Sequence, residues 1–437
     1  MRKLAAVLCL VGVLALPSCG GGGGGGEAPP NQPLATVSNA ADTGADAAAP
    51  PSTPAAPANA LPVVVDTGPA LFLLTGRKVL NMLYASVTLC TTGSATACET
   101  IDHVQLDTGS TGLRILAPAL SGKAALQPVV EAASGSALRQ CVQYADGFTW
   151  GSVVSADVKI GGQTLASLPL NLIGDPAAGV PPPTCVSGPG KNSVSLFGAN
   201  GVLGVGSFVR DCGANCAAYA IPGMYYVCPS AGAGALCRAT KVAEAQQVPN
   251  PVALLPGDNN GVTIQLPPVP RSGSALAGGT VYFGVATRSN NTLPGARLLT
   301  LDGSGTLLTS YGGVQQRAIV DSGSNGYFFA SDSIATCTRH QAFYCPTAGG
   351  APTSLAQTAF IVGRNGRMEA VSFTVDNIDD LFIGQAALPG AAAPSSGLIG
   401  GAAGLFSWGL PFFFGRTVQV LFEGMTVDGV TGPAIAF

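Results

Sequence analysis

From about residue 61 the chain reads as short apolar runs separated by clusters of Gly, Pro, Asn and Ser. Leu83-Tyr84-Ala85-Ser86-Val87-Thr88-Leu89, residues 153–160 and residues 418–422 are of strand length and bounded by turn residues. No helical periodicity holds over three turns, so the pattern predicts an all-β protein with minor helix. The text before residue 61 differs. Arg2 and Lys3 precede an apolar run over residues 4–16, which is too short to span a bilayer and reads as a secretory signal. A glycine tract over residues 20–26 and an Ala/Pro/Asn-rich stretch to about residue 62 then offer no apolar face to bury, which predicts a tether.

The signal ends Leu16-Pro17-Ser18-Cys19-Gly20, and its Leu-x-Ser-Cys sequence resembles the bacterial lipobox, from which only Pro17 departs. The resemblance implies that residues 1–18 are removed and that Cys19 becomes a lipidated N-terminus. Residues 19–62 would then tether a body exported to the bacterial envelope at the outer membrane, on its periplasmic or surface side. That anchor is the one membrane contact expected.

Export changes the reading of the cysteines. Setting aside Cys9 and Cys19 leaves Cys90, Cys98, Cys141, Cys185, Cys212, Cys216, Cys228, Cys237, Cys337 and Cys345. In an oxidising compartment these read as local disulfides 90–98, 212–216, 228–237 and 337–345, with 141–185 remaining. Zinc is the competing reading, but no Cys-x-x-Cys pair occurs and histidine is scarce, so no metal and no cofactor are expected. Composition narrows the classes further. Twenty basic against twenty-three acidic residues in 437 give no basic footprint for nucleic acid. Only His103 and His340 are present, which argues against a multi-histidine metal site and leaves little room for a Ser-His-Asp hydrolase.

One pattern occurs twice: Leu106-Asp107-Thr108-Gly109-Ser110-Thr111-Gly112 and Val320-Asp321-Ser322-Gly323-Ser324-Asn325-Gly326. Each copy lies between apolar runs, so a strand enters a glycine turn and leaves as a second strand with a carboxylate at the tip. The duplication suggests two homologous lobes, each presenting one aspartate. Here the chain resembles the pepsin-like aspartic proteases, whose signature is an apolar pair followed by Asp-[Thr/Ser]-Gly-[Ser/Thr] in each lobe. Residues 142–151, Val-Gln-Tyr-Ala-Asp-Gly-Phe-Thr-Trp-Gly, look like the flap hairpin with Tyr144 at its tyrosine. Residues 199–206 look like the segment behind the first turn, with Asn200 in place of an aspartate. Residues 279–284 resemble the strand opening the second lobe, and Trp408-Gly409-Leu410-Pro411-Phe412-Phe413 the terminal element. These landmarks stand in family order over roughly residues 75 to 437.

The resemblance implies a bilobal pepsin-like fold with an N-terminal lobe over residues 63–255, carrying a cysteine-rich insertion at 207–247, and a C-terminal lobe over 256–437. It also implies a monomeric aspartic endopeptidase acting on polypeptides. Two ionised carboxylates about 3 Å apart would repel by roughly 5 kcal/mol at an effective dielectric of about 20, so Asp107 and Asp321 would share a proton and titrate as a unit. Thr108 and Ser322 would cross-link the turns, Gly109 and Gly323 would form them, and Ser110 and Ser324 would bond the outer oxygens. Tyr144, Asp146 and Gly147 would cover the substrate. The family places Trp after the first motif's leucine, hydrogen-bonded to the flap tyrosine. Here Arg114 follows Leu113, and Trp150 is the candidate to supply the ring.

Other acidic motifs read as structural. Asp66-Thr67-Gly68-Pro69 lacks the Ser-x-Gly continuation and reads as a strand end. Asp376, Asp379 and Asp380 lack the spaced oxygens of a calcium loop and read as a turn. The alternative function is an inactive pepsin-like lipoprotein acting as an envelope binding module. Loss of an aspartate or its supporting hydroxyl would favour it, and all are retained.

Overall fold

The computed structural model describes residues 57–437 except 229–235, 293–296, 380, 382–383 and 398–403. The expected signal, Cys19, most of the expected tether and Asp380 lie outside the described residues. Strands dominate, and the described α-helical segments Ala70–Leu73, Val194–Phe197 and Ala214–Ala218 are single turns. No described helix is long and apolar enough to cross a membrane.

Alternation and continuous burial both occur, for the reason sheet position dictates. Along Met368–Asp376, Val371, Phe373 and Val375 are buried while Ala370 and Ser372 face out, as on a sheet wet on one side. Thr111–Leu116 is buried at every position because strands flank it on both edges.

The larger sheet has 16 strands. Across its middle, Leu83–Cys90, Ala60–Val65, Ala277–Phe283, Gly261–Gln265, Thr417–Leu421 and Ala434–Ala436 follow one another, so both halves of the chain share one hydrogen-bonded layer. Ala60–Val65 pairs antiparallel with Ala277–Phe283 from Ala60↔Tyr282 to Val65↔Ala277. A second sheet has 7 strands, all drawn from between Leu307 and Trp408. An aromatic cluster backs it: Phe329 stacks on Phe406 at 5.3 Å, and Phe406 lies 4.6 Å from Trp408. Such ring pairs add about 0.5–1.5 kcal/mol beyond area burial. The Trp408 indole N–H donates to Thr309 Oγ1 at 2.8 Å, so its one polar atom is satisfied in the core.

Five disulfides link the ten cysteines of the described body: Cys90–Cys98, Cys141–Cys185, Cys212–Cys216, Cys228–Cys237 and Cys337–Cys345. Bonds of this kind persist in oxidising compartments and indicate an extracytoplasmic protein. Residues 207–247 extend the large sheet. Tyr225–Val227 pairs antiparallel with Leu138–Tyr144 through Tyr225↔Gln140, and Arg238–Ala239 adds beyond it.

Candidate active site

The two aspartate turns are built alike. Cys98–Asp107 runs into the first turn and Thr111–Leu116 leaves it, with Gly201–Val205 between the two arms. That strand is parallel to the incoming arm, with Asp107 opposite Gly204, and antiparallel to the outgoing one, with Thr111 opposite Val205. At the second turn Val314–Val320 enters and Tyr327–Phe329 leaves, with Phe406–Trp408 between. It too is parallel to the first arm, through Val320↔Trp408, and antiparallel to the second, through Tyr327↔Trp408. A strand held between the arms fixes where each carboxylate points. Asn200, at the entrance to the first inserted strand, donates from Nδ2 to Asp102 O at 3.0 Å and Asp102 Oδ1 at 2.9 Å.

The turns are tied to each other. Thr108 N–H donates to Ser322 Oγ at 3.1 Å and Ser322 N–H to Thr108 Oγ1 at 2.9 Å. Each hydroxyl then donates across the interface, Thr108 to Val320 O at 3.0 Å and Ser322 to Leu106 O at 2.8 Å. All four bonds lie in the interior, where losing one partner leaves a buried polar group unsatisfied at a cost of about 1–3 kcal/mol.

Each carboxylate is held from its own turn. Asp107 accepts from Gly109 N–H at 2.7 Å and from Ser110 Oγ at 2.5 Å. Asp321 accepts from Gly323 N–H at 2.8 Å and Ser324 Oγ at 2.7 Å, while Ser407 Oγ bonds Ser324 Oγ at 3.1 Å. Glycine is required at both tips by close approach. A Cβ on Gly323 would fall 2.5 Å from Asp107 Oδ1 and 3.0 Å from Asp321 Oδ1, and one on Gly109 would fall 2.6 Å from Asp321 Oδ1. The two carboxylates therefore crowd a common point. Burial, then the charge of Asp107 and a hydrogen bond with it, push Asp321 up to about 8. Two like charges so placed disfavour joint ionisation, so the pair holds a proton to higher pH than a lone carboxylate does.

The hairpin formed by Leu138–Tyr144 and Gly147–Ile160 carries Tyr144 at its tip, paired with Gly147. The Tyr144 ring meets Phe197 edge-on at 5.9 Å. Burial pushes its hydroxyl up to about 12; Arg114 opposes that shift and Asp107 adds to it, so Tyr144 stands in the field of the site. Asp146 and Gly147 engage another segment. Asp146 pairs with Lys191, Phe148 N–H donates to Pro189 O at 3.0 Å, and Lys191 N–H returns a bond to Phe148 O at 2.8 Å. A Cβ on Gly147 would fall 2.3 Å from Pro189 O. With Cys141–Cys185 nearer its base, the hairpin is strapped along one side by residues 185–191.

Arg114 is 2% exposed. It donates from Nη1 to Thr111 O at 2.7 Å and Gly112 O at 3.2 Å, and its Nη2 lies 3.6 Å from Asp211 Oδ2. Asp211, from residues 207–247, also accepts from Tyr225 Oη at 2.8 Å and from Gln140 Nε2. Burial pushes Asp211 up to about 6 against the opposing pull of Arg114. Trp150 does not supply a ring beside Tyr144; it packs edge-on against Tyr226 at 5.6 Å and donates to Gly179 O at 3.1 Å. Sequence reasoning singled out Arg114 and missed Asp211, Tyr225 and Lys191. The available signal was a cation inside the apolar run 113–116, since a buried charge requires a partner.

The remaining acidic motifs hold structure. Asp66 accepts from Gly68 N–H at 2.9 Å and pairs with His103 at 3.1 Å, and His103 also lies 3.3 Å from Asp102. Asp376 pairs with Arg271 at 2.7 Å, and Asp379 caps residues 338–340 through three backbone N–H groups. Cys337, Cys345 and Asp379 cluster, but the two sulfurs are joined as a disulfide and are not available as thiolate ligands.

A two-lobed all-β body with matched aspartate turns at the junction is the pepsin-like fold. The chain is similar to the aspartic proteinase from Irpex lacteus in its crystal structure, with a TM-score of 0.51 and 16% identity over 86% of this chain and 96% of that one. At that identity the likeness establishes the fold alone. The chain belongs to the family described as protein of unknown function (DUF3443), whose model matches residues 55–437. No curated protein matches it in sequence.

Proposed function

We propose that the protein is an aspartic endopeptidase of the bacterial envelope, monomeric and anchored by lipid on Cys19, which hydrolyses peptide bonds with a water activated between Asp107 and Asp321. The observation that carries this reading is the pair of cross-linked turns, in which each carboxylate keeps its backbone and hydroxyl donors and the two carboxylates crowd a common point. The ionised carboxylate removes a proton from water as its oxygen adds to the scissile carbonyl carbon, and the protonated partner gives its proton to the carbonyl oxygen. The tetrahedral intermediate collapses when the first carboxyl, now protonated, protonates the amide nitrogen and the C–N bond breaks, while the partner carboxylate takes a proton back from a hydroxyl of the intermediate to leave the carboxylic acid. Fixed turns hold both groups at one point, so little reorientation is needed at the moment of reaction. Tyr144 covers the reacting centre from the hairpin.

The test is cleavage of unstructured polypeptides between pH 3 and 8 by the disulfide-bonded protein, with and without a statine-type inhibitor. Cleavage that the inhibitor blocks and that falls by at least about 1,000-fold in Asp107→Asn and Asp321→Asn is expected. Cleavage retained in either variant refutes the dyad mechanism. Inactivity throughout favours an envelope binding module.

A further inference from the structure

Two side-chain amides from the half of the chain that carries the first aspartate turn reach across to the second. Gln105 Nε2, two residues before Asp107, donates to Gly323 O at 2.9 Å, and Asn81 Nδ2 donates to Asn325 O at 2.9 Å. These carbonyls stand on either side of Ser324. Its hydroxyl donates to Asp321 Oδ2 at 2.7 Å and its N–H to Asp321 O at 3.1 Å. Asn81 is fully buried and lies in the left-handed region at φ 49°, which asparagine adopts more readily than most residues. Its further bonds also reach the second half: its N–H donates to Ala386 O at 2.7 Å, Nδ2 to Leu388 O at 2.9 Å, and Oδ1 accepts from Leu388 N–H at 2.7 Å. Leu80 beside it packs in a cluster with Phe343, Ile378 and Leu388. One residue earlier the chain is rooted in the first half, where Val79 N–H donates to Thr67 O at 3.2 Å and its side chain packs with Phe72, Tyr84 and Val194. Residues 79–81 are therefore a strap between the two halves that ends on the second turn.

We propose that Asn81 and Gln105 are positioning residues for Asp321: by holding Gly323 O and Asn325 O they fix the Ser324 hydroxyl, and through it the carboxylate oxygen that accepts from it. Their part in catalysis rests on the peptidase reading above. Leu410 N–H donates to Ser324 O at 2.7 Å, so three successive carbonyls of the turn are held from outside it. A turn pinned on both sides of one residue cannot rotate that residue's peptides, and displacements of about 1 Å at a reacting group are costly to rate. The two turns differ in where this support originates. Thr111 O, at the position in the first motif that matches Asn325, accepts from Arg114 of its own outgoing strand at 2.7 Å. The second turn takes its amides from the opposite half, so the placement of Asp321 depends on how the halves sit together.

The test is amide hydrogen exchange and peptide cleavage in wild type, Asn81→Gly and Gln105→Met. Glycine keeps the left-handed backbone and the N–H bond to Ala386 while losing the side-chain bonds, and methionine keeps the length of Gln105 without its donor. In each variant the N–H groups of Gly323 and Ser324, both bonded to Asp321, are expected to exchange at least about tenfold faster than in wild type, and that of Gly109 within about twofold. On an unstructured peptide kcat is expected to fall about tenfold with KM within about twofold. A structural role alone would lower the urea midpoint and move neither reading. Exchange at Gly323 and Ser324 equal to wild type, or kcat left intact in an active protein, overturns the inference. Should Asn81→Gly fail to fold, Gln105→Met decides alone. Because exchange needs no catalysis, a wild-type protein that cleaves nothing refutes the peptidase reading while the hold on the second turn is still decided.

Discussion

Replacing Asp321 with Asn should change how stability depends on pH, by an amount that follows from the geometry. Like charges about 3–4 Å apart at an effective dielectric of about 20 repel by about 4–5 kcal/mol, or about 3–4 pH units, before the cost of burial is added. The native pair accordingly keeps a proton, with Asp321 pushed up to about 8 from 3.8. The unfolded chain releases that proton near pH 4. The native state therefore binds one more proton than the unfolded state between those values, and stability falls as pH rises through the window by about 1.4 kcal/mol per pH unit. Asp211, pushed up to about 6, adds a slope of the same sign that ends above pH 6. His103, raised chiefly by its hydrogen bond to Asp66, also loses stabilisation as pH rises, so the reading is the difference between proteins. Urea unfolding of wild type and Asp321→Asn at pH 6.5, 7.0 and 7.5, with disulfides intact, measures it. The amide keeps an acceptor for Gly323 N–H but has no proton to retain. The slope is expected to be shallower by about 1.4 kcal/mol per pH unit in the variant. Equal slopes would mean that the two carboxylates do not share a proton, and the proposed chemistry would lose its basis.

Breaking the buried pair should be asymmetric. Arg114→Met strands Asp211 and Asp211→Asn strands Arg114, each costing about 3–5 kcal/mol in urea unfolding, whereas R114M/D211N should cost less than either. Gly323→Ala places a Cβ 2.5 Å from Asp107 Oδ1 and should lower peptide hydrolysis by at least about 100-fold, read as kcat/KM on an unstructured substrate. Thr108→Val removes one donor and one acceptor between the turns and should destabilise by about 1–3 kcal/mol in the same assay. Cys19→Ala should move the protein from the membrane fraction to the soluble fraction after cell lysis, a shift that immunoblotting reads directly.

What was legible in the sequence is what depends on local chemistry. A strand, a glycine turn and a carboxylate at its tip are adjacent in the chain, so the duplicated motif exposed both turns and their supporting hydroxyls, and the turn-bounded apolar runs exposed the β class. The strand held between each pair of arms was partly legible. Residues 199–206 were singled out for the first turn, while Phe406–Trp408 shows its equivalence only through register, as a parallel partner of Val314–Val320 and an antiparallel partner of Tyr327–Phe329. Least legible were contacts that no pattern encodes. Asp211 lies far from Arg114 in sequence, and its neighbours Val209 and Arg210 give no sign that its side chain turns inward. A buried cation nevertheless imposes a condition that can be read in advance, because some carboxylate or set of carbonyl dipoles must reach it. Arg114 meets that condition with two carbonyls of its own turn and one carboxylate from the 207–247 segment. That segment is consequently coupled to the site through charge, in addition to the two strands it adds to the sheet edge. Truncating it would leave Arg114 buried without its counter-ion beside the hairpin that carries Tyr144. Its two disulfides, Cys212–Cys216 and Cys228–Cys237, hold in place the stretch from which Asp211 and Tyr225 project.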